Sequence, residues 1–285
     1  MNSESKRGFW DGLSHELFSA GYDYGEPQLS PNGKYVAYTM SNESGKNLYL
    51  YEIETTHHFQ LTSENSLSTG TAYGGKTFSW GKDSFYLYYT SKGQFYKVSI
   101  QGGISTKLHN QGKQFSPSTN EKYLMFSVEH EDHMSLGLLQ LNDDIEKSWS
   151  TRIPITENFL YDASFHPMNG SILVHTWSYP NMSWNGSKIE LLIPTNKNYE
   201  QITRKVVAGS ESIATSQPKF SPDGRKMTFF SEQTGWLNLW IANSDGSDPQ
   251  PLVDEKCEHA YSTWVTGGSS YNLTSYLFII LISWD

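Results

Sequence analysis

Phe220-Ser-Pro-Asp-Gly224 is one of four versions of a single phrase, the others being Leu29-Ser-Pro-Asn-Gly33, Phe115-Ser-Pro-Ser-Thr119 and Phe165-His-Pro-Met-Asn-Gly170. Proline presets φ for the first central position of a tight turn, and Asp-Gly or Asn-Gly accepts the positive φ that closes it. Each copy therefore predicts a hairpin turn, and each is followed by aromatic, β-branched runs. Lys34–Met40 and Asn47–Ile53 form the first pair of predicted strands, Ser84–Thr90 and Phe95–Ile100 the second, and Lys122–Val128 and Ser135–Leu141 the third. Ser171–Thr176 with Lys188–Ile193 and Lys226–Ser231 with Asn238–Ala242 complete the series. A polar or glycine-containing break separates the members of each pair, as a hairpin requires.

Phe78-Ser-Trp-Gly81 stands where a further copy of the turn falls, so the phrases begin about 40 to 55 residues apart, the span of a four-stranded propeller blade. The expected fold is all-β: a β-propeller of about five four-stranded blades plus the start of a sixth, opened by Trp264 and left incomplete. The blades occupy residues 26–273. A less regular lead-in covers 1–25, with short helical character over Trp10–Phe18, and an atypical apolar tail covers 274–285. A β-sandwich with coincidental turns is the competing architecture, but sandwiches do not repeat one phrase at blade-length intervals.

Composition narrows the function classes. The 285 residues are 36% hydrophobic and 14% aromatic, enough for a large core of pleated, half-buried surfaces. Net charge is −9 and no stretch is strongly basic, which argues against a nucleic-acid partner. Cys257 is the single cysteine, so no internal disulfide forms, and the first residues, MNSESKRGFWDGL, lack the apolar region of a signal peptide. Both features favour a reducing, cytoplasmic setting. The Asn-x-Ser/Thr sequons at Asn42, Asn169, Asn181, Asn185 and Asn272 then read as chance. The longest apolar run, Leu277–Ile282, is far short of the roughly 20 residues that span a bilayer, so no membrane partner is expected.

Four further stretches point to a family. Trp177-Ser-Tyr-Pro-Asn-Met-Ser-Trp-Asn-Gly-Ser187 resembles the Trp-Asp-His-Pro-Asn-Met-Pro-Trp-Asp-Gly-Thr phrase of prolyl oligopeptidase family serine peptidases, in particular the acylaminoacyl-peptidase-like and dipeptidyl-peptidase-like members. Tyr73-Gly-Gly75 followed by Phe78-Ser-Trp80 resembles the family's Tyr-Gly-Gly-Gly motif. Glu211-Ser-Ile followed by Gln217-Pro-Lys-Phe-Ser-Pro-Asp-Gly224 resembles its Glu-Ser-Val and Gln-Pro-x-Trp-Ser-Pro-Asp-Gly, and Thr234-Gly-Trp-Leu-Asn-Leu-Trp240 its Thr-Gly-Trp-Trp-Asn-Leu. The match runs over roughly residues 8–273 and lies wholly in the family's N-terminal propeller. It departs at Ser178-Tyr179, where the family has Asp-His, at Ser183, where it has Pro, and after Tyr271, where the family continues into more blades.

The resemblance implies a propeller that restricts access to short peptides, TolB-like in its repeats, joined to an α/β-hydrolase domain that carries Ser, Asp and His. The Ser of that triad sits in a Gly-x-Ser-x-Gly elbow, whose strained turn exposes the hydroxyl. No Gly-x-Ser-x-Gly occurs in this sequence; Gly267-Gly-Ser-Ser270 is followed by Tyr271 where Gly is needed. The chain by itself is therefore expected to be non-catalytic, a truncated peptidase propeller. The alternatives are a stand-alone propeller that binds peptides or partner proteins, and a metal-dependent enzyme using the propeller axis. The last requires His and carboxylates converging there, and the sequence offers no convincing set.

Candidate binding residues follow. The Tyr179–Asn185 loop, flanked by Trp177, carries Tyr179, Asn181 and Trp184 around a proline-constrained turn, where exposed aromatics suit a substrate contact; packing against its own blade is the bland reading. Glu211 offers a carboxylate for a peptide's free amino group, against a plain surface role. Glu129-His130-Glu131-Asp132-His133 is rich in metal-ligand types but is read as a solvated hairpin loop, because it is not His-Glu-x-x-His and lies between two strands. His57-His58 reads as an exposed turn, Arg225 and Lys226 as solvated, and Cys257 with His259 lacks a second ligand pair, so no metal or other cofactor is expected. Tyr276–Ile282 has high β-propensity without charge or proline, so self-association through it or through open sheet edges is anticipated.

Overall fold

The computed structural model describes residues 21–43, 45–63, 67–108, 113–141, 150–273 and 279–281. Trp10–Phe18 and most of the tail lie outside them. Among the described residues every regular element is a strand, and the strands form five four-stranded antiparallel sheets and one two-stranded sheet. Blade one is β1 (Asp23–Leu29), β2 (Tyr35–Asn42), β3 (Gly45–Glu52) and β4 (His58–Gln60). Blade two is β5 (Phe78–Trp80), β6 (Tyr86–Ser91), β7 (Gln94–Ser99) and β8 (Thr106–Lys107). Blade three is β9 (Lys113–Thr119), β10 (Tyr123–Glu129), β11 (Met134–Gln140) and β12 (Thr151–Ile153). Blade four is β13 (Phe159–Phe165), β14 (Ile172–Trp177), β15 (Lys188–Pro194) and β16 (Ile202–Gly209). Blade five is β17 (Thr215–Phe220), β18 (Lys226–Ser231), β19 (Asn238–Asn243) and β20 (Gln250–Pro251), followed by the hairpin β21 (Tyr271–Leu273) and β22 (Ile279–Leu281). This is the β-propeller expected from the repeat, and all five predicted strand pairs are present as antiparallel neighbours.

The turns behave as their chemistry dictates. Ser221 Oγ donates to Asp223 Oδ1 at 2.6 Å, Asp223 Oδ1 accepts from the Arg225 amide at 3.0 Å, and Gly224 takes φ +67°. Ser30, Asn32 and Gly33 repeat this set between β1 and β2. In the blade-four copy the imidazole of His166 replaces the serine. Its Nδ1 accepts from the Met168 and Asn169 amides, and its Nε2 reaches the Gly224 carbonyl at 2.9 Å, tying two neighbouring turns together.

The Phe115-Ser-Pro copy is different. In β1, β9, β13 and β17 two residues face one on the adjacent strand, a β-bulge at Glu26-Pro27, Ser116-Pro117, Asp162-Ala163 and Gln217-Pro218. Ser116-Pro117 thus belongs to the strand bulge rather than to the turn, which in blade three is made by Asn120, whose Oδ1 accepts from the Lys122 and Tyr123 amides at 2.8 Å. Proline is tolerated at a bulge because the ladder there needs no N–H. The first bulge residue takes φ of +50° to +53° in all four strands.

The core is divided among the blade interfaces. Leu48, Leu50, Phe78, Trp80 and Leu87 fill the first. Tyr88, Phe95, Leu124, Phe126 and Leu139 fill the second, and Phe115, Met125, Leu136, Leu160 and Trp177 the third. Leu173, Leu191, Met227, Phe229 and Trp240 fill the fourth, and Phe230 and Leu239 pack against Tyr271 in the fifth. A middle strand buried on both faces needs apolar side chains on both, which is why β6, β10 and β14 read as continuous rather than alternating apolar runs.

Blade four also buries charge. Arg204 donates to Glu190 at 2.6 Å and pairs with Glu157, and Thr176 Oγ1 donates to Glu190 at 2.7 Å. Burial alone would push the Glu157 carboxyl up, but the guanidinium overrides it and holds the group below its usual range. His175 lies nearby with both ring nitrogens unpartnered, among Tyr161 and Trp177, and burial lowers its pKa to about 3.

Two outcomes follow. Arg204→Met strands Glu190 as an uncompensated buried charge and destabilises the protein by about 3 to 5 kcal/mol in urea denaturation, while adding Glu190→Gln recovers part of the loss. His175 contributes its full stability above the unfolded-state pKa of about 6.5 and loses about 1.4 kcal/mol for each pH unit below it, down toward 3. His175→Phe removes that titration, so the stability difference between pH 7 and pH 5 is smaller in the variant by about 2 kcal/mol.

Candidate functional site

Because each blade is an antiparallel meander, its first-to-second and third-to-fourth turns share one face of the propeller. The second-to-third loops and the blade-to-blade crossovers share the other. All the Ser-Pro-Asp-Gly-type turns lie on the first face. Tyr179, Asn181, Trp184 and Glu211 lie on the second, on the β14–β15 loop and the β16–β17 crossover.

The structure brings these residues together in two groups. Asn181 Nδ2 donates to the Glu211 carbonyl at 2.9 Å and to its Oε2 at 3.2 Å. Lys188 Nζ meets Glu211 Oε1 at 2.8 Å, and that carboxylate raises the Lys188 pKa. The Glu211 side chain remains 73% exposed. Gly186 makes the approach of the two segments feasible, since a Cβ there would stand 2.2 Å from the Glu211 carbonyl oxygen. The second group is aromatic. Tyr179 packs edge-on against Phe159 at 4.9 Å, Phe159 stacks on Trp177 at 5.4 Å, and Trp177 meets Tyr161 at 4.6 Å. Tyr161 in turn reaches Tyr73 at 6.4 Å, and burial raises the pKa of the Tyr73 phenol.

Trp184 packs on Trp264 with ring centroids 4.3 Å apart and the rings tilted by 41°. Trp264 does not open the sixth blade, as its position in the sequence suggested. It lies in the long crossover between β20 and β21, and Tyr271 starts the next hairpin. The side chains of the bulges show why. Glu26 Oε2 accepts from the Thr77 amide at the start of blade two, and Gln217 Oε1 accepts from the Ser270 amide at 2.7 Å. Ser270-Tyr271 is thus the counterpart of Thr77-Phe78.

The same crossover runs over the inner ends of the sheets. Thr263 O accepts from Ser183 Oγ at 2.8 Å. Thr266 exchanges backbone bonds with Tyr73 and Gly75, and Asp162 Oδ1 accepts from Gly267 N at 2.8 Å and Thr266 Oγ1 at 2.9 Å. Burial raises the Asp162 pKa despite those donors and the nearby Lys76. Lys219 Nζ donates to Ser269 Oγ at 2.6 Å, and burial with Lys76 nearby lowers its pKa to about 8. At Gly75, with φ +103°, a Cβ would stand 2.5 Å from Ser116 Oγ, which accounts for the glycine at the end of the Tyr73-Gly-Gly75 motif. Tyr179 at 63% exposure, Met182 at 50% and Trp264 at 69%, with Tyr261 and Val265, leave an aromatic surface on this face.

Other sequence candidates fall outside this group. Glu129 is the last residue of β10, and His130–His133 form the hairpin loop to β11, where the His130 and His133 rings stack at 4.5 Å and Arg152 contacts His130 Nε2 at 3.0 Å. His57 is exposed, and His58 sits on the outer strand β4 beside Tyr38 OH. Arg225 is solvated, whereas Lys226 donates to Asn243 Oδ1 at 2.8 Å. Cys257 and His259 gain a third neighbour that the sequence reading missed, Glu255.

No known protein-family profile matches the chain. An uncharacterised protein of Agrobacterium fabrum is 25% identical over 194 residues, covering 65% of this chain and 59% of that protein. A puromycin-hydrolysing peptidase of Mycobacterium tuberculosis superposes with a TM-score of 0.77 at 13% identity, over 92% of this chain and 42% of that one. TolB from Acinetobacter baumannii gives 0.59 at 14% identity over 79% and 52%. A prolyl endopeptidase gives 0.60 at 10% identity over 82% and 37%. These likenesses establish the β-propeller fold. The chain spans less than two thirds of the length of each of these proteins. Among the described residues no helix is long and apolar enough to cross a membrane.

Gly186→Ala forces the Glu211 backbone away and breaks the Asn181 contact. The expected loss is about 1 to 3 kcal/mol, read from thermal unfolding, because the obstruction is backbone that a rotamer change does not relieve.

Proposed function

We propose that this chain is the substrate-gating propeller of a prolyl oligopeptidase-type serine peptidase that acts on short peptides, with the Ser-Asp-His chemistry supplied by an α/β-hydrolase unit outside this sequence. What supports the reading most is the crossover face, where parts of three of the stretches that resemble the family meet one another or the 263–267 crossover. Tyr73-Gly-Gly75 meets the 263–267 crossover, Trp184 packs against Trp264, and Asn181 holds Glu211. The TM-score of 0.77 to a puromycin-hydrolysing peptidase agrees with it.

On this reading Tyr179 and Trp264 supply apolar contact to a peptide, and Glu211 receives its amino terminus. Lys188 already neutralises part of the Glu211 charge, so the carboxylate acts as a local acceptor with its remaining lone pairs rather than as a free anion. Exposed ion pairs of this kind contribute only about 0.2 to 1 kcal/mol, so aromatic contact dominates affinity and Glu211 sets orientation.

Calorimetric titration of the chain with tri- and tetrapeptides tests the proposal. Free-amino peptides bind more tightly than their N-acetylated forms, Glu211→Gln lowers affinity about 2- to 5-fold, Tyr179→Ala and Trp264→Ala lower it further, and no peptide is cleaved. Hydrolysis by the chain alone, or affinity indifferent to all three substitutions, overturns it. Equal affinity for acetylated peptides identifies a stand-alone binding module instead.

A further inference from the structure

Three side chains of different chemistry converge on the crossover that leaves β20. His259 Nε2 lies 3.1 Å from Glu255 Oε2 and 3.4 Å from Cys257 Sγ, and Cys257 Sγ lies 3.6 Å from Glu255 Oε2. Two chemical readings compete for such a cluster. A nucleophilic relay needs the thiol on one imidazole nitrogen and the carboxylate on the other, so that the ring passes a proton between them. Here both groups address the same nitrogen, Nε2. That arrangement does not relay a proton; it surrounds a point.

The separations suit an ion at that point. Zinc bonds of about 2.3 Å to sulfur and about 2.0 to 2.1 Å to nitrogen and oxygen, set at tetrahedral angles, put S and N about 3.6 Å apart, S and O about 3.5 Å and N and O about 3.3 Å apart. Each observed distance falls within about 0.2 Å of its counterpart, so no donor has to move far.

The backbone carrying the donors is held at both ends. Asn238 Nδ2 donates to the Glu255 carbonyl at 2.9 Å, the Leu237 amide donates to Glu258 Oε2 at 2.7 Å, and the His259 amide donates to the Leu237 carbonyl at 3.1 Å. Bends at Lys256-Cys257 and His259-Ala260 curl the segment, so donors two residues apart turn toward one point, while the Glu258 carboxylate bonds the Leu237 amide instead. The cluster lies outside the peptide site proposed above.

We infer that Glu255, Cys257 and His259 form a binding site for a thiophilic divalent transition-metal ion of the zinc class, with solvent in the fourth position. The thiolate, imidazole and carboxylate donors match the borderline softness of zinc and disfavour magnesium and calcium, which take oxygen ligands. The ion staples the start of a crossover that has few ladder bonds of its own.

Cobalt titration of the reduced chain, kept in a non-chelating phosphine reductant, tests the site. Because the chain has one cysteine, a thiolate-to-cobalt charge-transfer band reports Cys257 alone. The expected result is that band together with visible d–d bands of tetrahedral intensity, saturating at one equivalent and abolished by added zinc. Cys257→Ser eliminates the charge-transfer band, and His259→Ala weakens binding by at least about 100-fold, the upper end of what loss of a ligand's own hydrogen-bond partner costs. Both positions are exposed or half-buried, so circular dichroism of the variants stays that of the parent. Absence of a charge-transfer band in the parent chain, or binding that Cys257→Ser leaves unchanged, overturns the inference; the latter assigns the cobalt to other histidines.

Discussion

The rest of the structure depends on one residue in four of the five innermost strands. Glu26, Ser116, Asp162 and Gln217 hold a left-handed backbone that costs a non-glycine residue about 1 to 2 kcal/mol. The bulge they create bends the strand and turns a polar group out of its own ladder. In three of the four that group then bonds the chain leading to another blade, while the Ser116 hydroxyl is buried without a partner. Glu26 takes the Thr77 amide and hydroxyl, Gln217 takes both polar groups of Ser270, and Asp162 takes Thr266 and Gly267. The apolar interfaces between blades are separate clusters and carry no information about which sheet follows which. The bulge bonds do carry it, because a backbone amide at a fixed position has to be satisfied.

The same constraint builds the candidate site. A crossover has no strand partner, so its backbone groups look for side chains. Residues 263–267 find Ser183, Asp162 and the Tyr73–Gly75 backbone, and these bonds draw Trp264 onto Trp184. Only glycine fits at Gly75 and Gly186, where the chains pass closest. The aromatic surface of this face is therefore a consequence of how the crossover is pinned. Of its exposed residues, Tyr179 stands at the end of a packed aromatic run whose inner members Phe159, Trp177 and Tyr161 are buried, and Trp264 lies against the half-buried Trp184.

How much of this the sequence displayed depends on the range of each interaction. The turns were legible because Ser221, Asp223 and Gly224 satisfy one another within a few residues. The five hairpins were legible for the same reason. The bulges were not: Ser116-Pro117 has the spelling of a turn and the position of Gln217-Pro218, and only strand register separates the two. Trp264 looked like the start of a blade because the repeat counts residues, whereas the Gln217 to Ser270 bond shows where the ladder resumes. The pairing of Asn181 with Glu211 crosses 30 residues and leaves no local trace. Glu255 left no such trace, because its approach to Cys257 and His259 depends on backbone bends at 256–257 and 259–260 rather than on a regular helical or knuckle spacing.

These ranges bear on how ligands act on the molecule. Blade interfaces bury large apolar side chains and resist change, as tightly packed interiors do. The crossover between β20 and β21 is held instead by a handful of polar bonds at separated points: Asn238 and Leu237 near its start, Ser183 and Asp162 further on, and Gln217 with Lys219 at its end. Each bond fixes only its neighbours, whereas a blade interface fixes whole strands. Glu255, Cys257, His259 and Trp264 all sit on this segment. The two proposed sites therefore rest on point contacts made by polar groups rather than on a packed apolar interface, and a single lost hydrogen bond disturbs them where it would not disturb a blade.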